Sequence, residues 1–258
     1  MKIVILTNGS KMAKYFVNKL SEKIDISKVF IEIKKIKYSQ KRLFLNKIFG
    51  TKFIDKIIEF KNKLFLEDIV KFDKFMENKK IEEYFSDFNE KSSKFFVPCE
   101  EIILEKEKSK LEKENIDILL LFGTSIIKDK IIKIPKLATL NFHSSLLPYY
   151  KGSKVELWQI LNDDYKYCGA TIHYVDTGVD TGNIIIQEPI NVEEKDIFWD
   201  LRYKNILKGI ALYPKAIELV KNGYKGKVQK KISQPVFKGK MITPEKYITM
   251  YRKKGYKV

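Results

Sequence analysis

Arginine is scarce in a chain crowded with positive charge. Of the 50 lysines and arginines in its 258 residues, only Arg42, Arg202 and Arg252 are arginines, although the formal net charge is +17. Proteins that read nucleic acid favour the arginine fork for phosphates and base edges. A lysine excess of this kind reads as a solvated surface, so nucleic acid is not the expected partner; the same field would draw small anionic ligands such as nucleotides or phosphates. Cysteine is nearly absent too. Cys99 and Cys168 alone exclude a disulfide framework or a four-cysteine metal site, and both are expected as buried, reduced thiols. No apolar run reaches the ~18 residues that a bilayer-spanning helix needs. Residues 1–6 (MKIVIL) break at once into Asn8-Gly9-Ser10, too soon for a signal-peptide core. The expectation is a cytoplasmic protein without membrane attachment. A hydrophobic content of 44% is enough to bury one large domain, or one domain and a small appendage.

What is present reads as α/β. Residues 2–7 (KIVILT) are a short β-branched run of buried parallel-strand type, closed by the turn Asn8-Gly9-Ser10. Met12, Tyr15, Phe16 and Leu20 then share one helical face. Free N–H groups at such a helix start make Asn8, Gly9 and Ser10 candidates for holding an anion such as a phosphate, although a plain strand-to-helix turn explains them equally. There is no GxGxxG fingerprint. Residues 28–33 (KVFIEI) predict a second strand. From 38 to 96 the chain is rich in lysine and aromatics, and Ile54, Ile57, Ile58 and Leu66, Ile69, Val70 fall at helical spacing. This predicts two or three inserted amphipathic helices, packed on the sheet or on a second subunit, or walling a pocket. Residues 100–114 predict a charged helix, and 116–122 (IDILLLF) a buried strand running into Gly123-Thr124-Ser125, where open α/β sheets hold ligands. Helices are predicted over 128–133, 198–219 and 244–253, with a short hairpin or extended tail before the last. The expected organisation is a catalytic α/β domain over 1–190, holding the 38–96 insert, and a C-terminal extension over 191–258.

The chemistry concentrates in residues 137–188, which hold both histidines, His143 and His173. Asn141 and His143, two apart in an extended apolar run, face the same way. A second run, 170–175 (ATIHYV), ends in a loop bearing Asp176 and Asp180. An amide, an imidazole and a carboxylate that converge would suit acyl transfer. Each also has a plainer reading: buried polar groups satisfying the core, and aspartates bonding locally within glycine turns.

Residues 141–148 (NFHSSLLP), with Gly152 following, resemble the N-x-H-x-S-L-L-P motif of the folate-dependent formyltransferases. Residues 169–173 (GATIH) and 176–182 (DTGVDTG) resemble that family's second motif with its loop aspartate. The resemblance covers about 112–190 well and 1–33 by topology only, and it leaves out the insert and the tail. It implies a Rossmann-like α/β formyltransferase fold with a mostly parallel sheet, and transfer of the formyl group of 10-formyltetrahydrofolate to a neutral primary amine. Asn141 and an N–H of His143 would donate to the tetrahedral oxyanion, while Asp180 orients His143 and accepts the amine's proton, directly or through water. The folate would lie against Phe122, Gly123, Thr124, Ser125, Ile126 and Ile127, and beside His173, Val175, Asp176, Gly178 and Val179. Ser145 and Pro148 would shape the loop. No metal is implied.

Other readings use the same atoms. His143, His173 and Asp180 could form a two-histidine, one-carboxylate metal site, and water in place of the amine would make a formyltetrahydrofolate hydrolase. The family's acceptors include glycinamide ribonucleotide, initiator methionyl-tRNA and nucleotide-linked amino sugars. The tRNA enzymes carry a β-barrel after the catalytic domain, and the helical pattern after Asp180 does not read as one. The expected acceptor is a small phosphate-bearing amine, a nucleotide-linked amino sugar before the ribonucleotide, and a homodimer is compatible with the insert.

Overall fold

The computed structural model describes residues 1–33, 47–104 and 106–258. The strands are β1 (Ile3–Thr7), β2 (Lys28–Glu32), β3 (Cys99–Ile102), β4 (Ile118–Phe122), β5 (Ala138–His143), β6 (Gly169–Tyr174) and β7 (Ile184–Pro189). The helices that position the site are α1 (Lys11–Ser21), α2 (Thr51–Tyr84), α3 (Phe88–Ser93), α4 (Lys108–Lys113), α5 (Asp129–Ile132), α6 (Val155–Leu161), α7 (Phe198–Lys221) and α8 (Pro244–Lys253). All seven strands join one sheet in the order β3-β2-β1-β4-β5-β6-β7. The first five are parallel; β6 runs antiparallel to β5, and β7 antiparallel to β6.

Strand alternation explains why β1 and β4 read as unbroken apolar runs. Ile3, Ile5, Ile118 and Leu120 face one way, onto Tyr15 and Phe16 of α1 and Tyr203 to Val220 of α7. Val4, Leu6, Leu119 and Leu121 face the other way, onto Leu111 of α4 and Ile131 of α5. Both faces are covered, so neither alternate set can be polar. From β1 the chain winds outward to β2 and β3, then returns to place β4 on the other side of β1. The carboxyl ends of β1 and β4 therefore flank a topological switch point, the usual position of a ligand crevice.

Among the described residues of the insert, α2 runs as one long helix because residues 51–84 contain no glycine or proline to break it, and the short α3 follows. Ile69 is buried and Val70 is 60% exposed; the side chains of Ile54, Ile57, Ile58 and Leu66, and residues 38–46 of the expected insert, lie outside the described residues. Ile69 and Met76 pack with α6, α7 and α8. Asp73 Oδ1 accepts from Trp199 Nε1 at 3.0 Å and from the Tyr251 hydroxyl at 2.7 Å, joining α2 to α7 and α8.

Two expectations need correction. Residues 100–114 are not one charged helix: β3 occupies Cys99–Ile102, and α4 is a separate piece of 6 residues. As an edge strand, β3 buries only Ile102 and leaves Glu100 to pair with Lys28 at 2.7 Å and Lys110 at 3.0 Å, so it carries no apolar alternation. Cys99 is exposed, and Cys168 alone is buried, its thiol pushed up to about 12 by that burial. The tail before α8 is extended and makes no hairpin of its own. Lys227 pairs with Ile184, and Phe237 with Gly152. Among the described residues, no helix is long and apolar enough to cross a membrane.

Candidate active site

The β5–β6 register sets Asn141 opposite His173. Directly opposed residues of an antiparallel pair project from the same face, and here Asn141 Nδ2 lies 3.2 Å from His173 Nε2. His143 shares that face, while Leu140 and Phe142 turn to the core beneath. Each imidazole is tied to a main-chain carbonyl: His143 Nε2–H donates to Tyr150 O at 2.8 Å, and His173 Nδ1–H to Tyr174 O at 2.7 Å. A carbonyl only accepts, so these bonds assign the protonated nitrogens. The remaining nitrogens both face Asp180, with His143 Nδ1 3.4 Å from Oδ2 and His173 Nε2 3.6 Å from Oδ1. Asn141 Nδ2 is also 3.4 Å from Asp180 Oδ1.

Asp180 sits in the β6–β7 loop with φ 53, a left-handed conformation for a non-glycine residue. Gly152 N–H donates to its Oδ2 at 2.8 Å, and Gln229 Nε2 donates to the carbonyls of Asp180 and Gly182 at 2.9 and 2.7 Å. Burial pushes the Asp180 carboxyl up, but the neighbouring His143 and His173 imidazoles and the Gly152 N–H together outweigh it and hold the group below the usual carboxylate range. The result is a half-enclosed anion beneath two imidazoles. Asp176 does a different job. Its Oδ1 accepts from Gly178 N at 3.1 Å and Thr181 Oγ1 at 2.6 Å, closing the exposed loop on itself.

These groups open onto one cavity of ≈ 690 Å³. Asn141, His143, His173, Val175, Asp176, Gly178, Val179 and Asp180 line it, with Phe122, Gly123, Thr124, Ser125, Ile126 and Ile127 from the loop after β4. Gly123 has φ +67, and a Cβ there would fall 2.9 Å from Asn8 Nδ2, so the β1 and β4 loops meet closely only without a side chain. Asn8 and Ser10 reach the cavity wall; Gly9 does not line it. Their oxygens serve the turn: Asn8 Oδ1 accepts from Ser10 N at 3.0 Å, and Ser10 Oγ caps α1 through Ala13 N at 3.2 Å.

Part of the wall was not expected from the sequence. Glu77 of α2, Lys154, and Val236 to Gly239 of the tail also line the cavity. So do Trp199, Arg202, Tyr203 and Ile206, whose spacing marks a single face of α7 and was the available signal. Glu32, at the end of β2, accepts from Ser125 N at 2.7 Å and from the Ser125 hydroxyl, holding the loop after β4. Among the described residues, no group of His, Cys, Asp and Glu has the arrangement to hold a metal ion.

A family model described as Formyl transferase matches residues 74–217, more than half of the 258, and the chain belongs to this family. The methionyl-tRNA formyltransferase of Clostridioides difficile (strain 630) is 32% identical over 117 residues, covering 45% of this chain and 37% of that protein. The match thus spans little more than a third of the curated relative. Among solved structures, a 4-N formyltransferase from Francisella tularensis covers 93% of this chain and 77% of its own at a TM-score of 0.55 and 17% identity. The sugar 3N-formyl transferase WlaRD covers 94% of this chain and 71% of its own at a TM-score of 0.53 and 20% identity. At such identities the likeness is one of fold: a Rossmann-like formyltransferase fold with a seven-stranded, mostly parallel sheet.

Proposed function

We propose that this chain transfers the formyl group of 10-formyltetrahydrofolate to a primary amine. The observation that carries this reading is the meeting of Asn141 Nδ2 and His143 Nδ1, each 3.4 Å from the Asp180 carboxylate, on the wall of one cleft. Attack of the amine on the formyl carbon makes a tetrahedral oxyanion. Asn141 Nδ2 is the preorganised donor for it, and loss of one such donor costs ~10²–10³ in rate. His143 has already spent Nε2–H on Tyr150, so its part falls to Nδ1. Asp180, kept anionic, takes the proton the amine must lose, directly, through water, or shared with His143 Nδ1. The folate lies against residues 122–127 and the loop from Val175 to Val179. Support for that donor comes from WlaRD, a fold relative whose crystal structure is described as in the presence of dTDP and 5-N-formyl-THF.

For the acceptor, the reading is a nucleotide-linked amino sugar. Lys154, Lys238 and Trp199 share the cavity wall, a set of cations and an aromatic face that suits a phosphate-bearing nucleotide. The glycinamide ribonucleotide reading keeps one observation in its favour, the presence of Asn8 and Ser10 in the same wall. A panel of dTDP-amino sugars, glycinamide ribonucleotide and methionyl-tRNA, assayed for tetrahydrofolate release, tests both levels. Turnover with an amino sugar is expected. Turnover only with the ribonucleotide or the tRNA overturns the acceptor, formate release without any amine makes the protein a hydrolase, and no release at all removes the reaction.

A further inference from the structure

We infer that residues 227–237 are a strap that positions the Asp180–His143 pair, acting through Gln229 and Gln234. The kinetic part of this inference rests on the formyl-transfer reading; the structural part does not. The strap is fixed at both ends by main-chain pairing. At its start Lys227 N donates to Ile184 O at 2.7 Å and Ile184 N to Lys227 O at 2.9 Å; at its end Phe237 N donates to Lys151 O at 2.8 Å and Ser153 N to Phe237 O at 2.9 Å. Between these anchors two glutamines reach the two loops that carry the site.

Gln229 Nε2 donates to the carbonyls of Asp180 and Gly182, at 2.9 and 2.7 Å. Gln234 Oε1 accepts from Tyr150 N at 3.0 Å, and Tyr150 O in turn receives the Nε2–H of His143. One glutamine therefore holds the main chain of the carboxylate residue, and the other holds the residue that fixes the imidazole. Both held residues are strained in the same sense. Asp180 has φ 53 and Tyr150 φ 54, a left-handed geometry that a non-glycine residue keeps only where its surroundings enforce it. A third tie runs through Gly152, which donates to Asp180 Oδ2 and abuts the strap so closely that a Cβ would fall 2.0 Å from Phe237 O. Neither glutamine lines the cleft, so both are positioning residues and not catalytic ones.

The two glutamines use opposite ends of the same amide, which gives a sharp test. Glutamate is nearly isosteric, lacks the NH₂ donors and keeps the acceptors. Gln229→Glu removes what that position needs; Gln234→Glu keeps what its position needs, whereas Gln234→Leu does not. The expected result is that Gln229→Glu and Gln234→Leu lower kcat about tenfold to a hundredfold with the folate KM little changed, the scale of a small misplacement of reacting groups. Gln234→Glu should recover most of the loss seen with Gln234→Leu. With two histidines in the chain, imidazole NMR reads the same geometry without turnover: the His143 and His173 cross-peaks should move in Gln229→Glu, and those of His143 in Gln234→Leu. Equal behaviour of the two Gln→Glu variants, or unmoved imidazole signals, would overturn the strap. Gln234 is exposed, so the Leu and Glu pair at that position still decides the matter if Gln229→Glu fails to fold. A wild-type protein without formyl transfer removes the reaction alone, since the NMR comparison still stands or falls by itself.

Discussion

Asn141 offers the cleft a neutral donor, and Asp180 offers it a charge, so the two should fail differently when changed. Asn141→Ala is expected to keep the fold and lower kcat by ~10²–10³, checked by steady-state rates beside circular dichroism; a change of less than about threefold would take the oxyanion role from it. Asp180 gives a pH prediction with a definite sign. Its folded pKa lies below the ordinary carboxylate value of ~3.9. Its stabilising contribution is therefore fully present above that value and is lost as pH falls below it, through the folded pKa. Urea unfolding between pH 3 and pH 7 should show wild type losing stability relative to Asp180→Asn only at the acid end, below ~4. By the same sign, an acid limb of kcat/KM lying above pH ~5 belongs to a group other than Asp180. At this scale the sequence was legible where side-chain type and short spacing carry the meaning, as at Asn141 and His143. The nearness of His173 to Asn141 comes from the β5–β6 register, and Gln229 acts through an amide that leaves no periodic mark. Neither could be read from spacing.

Helix α7 shows what one element contributes beyond packing. Trp199, Arg202, Tyr203 and Ile206 turn one face to the cleft, while Arg202 also reaches back to Glu156 of α6. Glu156 is fully buried, with Oε1 2.7 Å from Arg202 Nε and Oε2 accepting from Nη2 at 2.8 Å. Breaking such a pair leaves a buried charge uncompensated, at a cost of about 3–5 kcal/mol. Arg202→Met should therefore lower Tm by roughly 6–20 °C, at about 2–4 °C per kcal/mol for a chain of this size. Adding Glu156→Gln should recover much of it, because the pair is then replaced and not halved. A calorimetric Tm within about 2 °C of wild type for Arg202→Met would mean that water already solvates the carboxylate. Elements differ in legibility for the same physical reason that they differ in burial. β1 and β4, covered on both faces, announce themselves as apolar runs. β3 buries only Ile102 at the sheet edge, and its two glutamates imitate a helix surface. The long α2 was readable as helix, and the lack of glycine and proline in its 34 residues was the signal that it is a single one rather than the two or three expected.

Across the whole molecule, the strand order and its switch between β1 and β4 are set by long-range pairing that no local pattern encodes. Charge behaves in the opposite way: the sequence states it in full, and only its consequence is open. Lysines find many partners close by in the chain, such as Lys71 with Glu67 and Lys108 with Glu112, and exposed pairs of this kind contribute little to stability. A formal +17 still remains after all 33 acidic residues are counted, and Lys154 and Lys238 bring that sign to the cleft wall. If the field gathers an anionic folate and a phosphate-bearing acceptor, it acts on encounter and not on chemistry. Raising ionic strength from ~0.01 M to ~0.1 M shortens the screening length from about 30 Å to about 10 Å. Over that range kcat/KM should fall by about tenfold while kcat stays level, and an uncharged fragment of the acceptor should show no such slope. A flat kcat/KM for the charged acceptor would reduce the lysine excess to a solvated surface, leaving recognition to the few cations that touch the ligand.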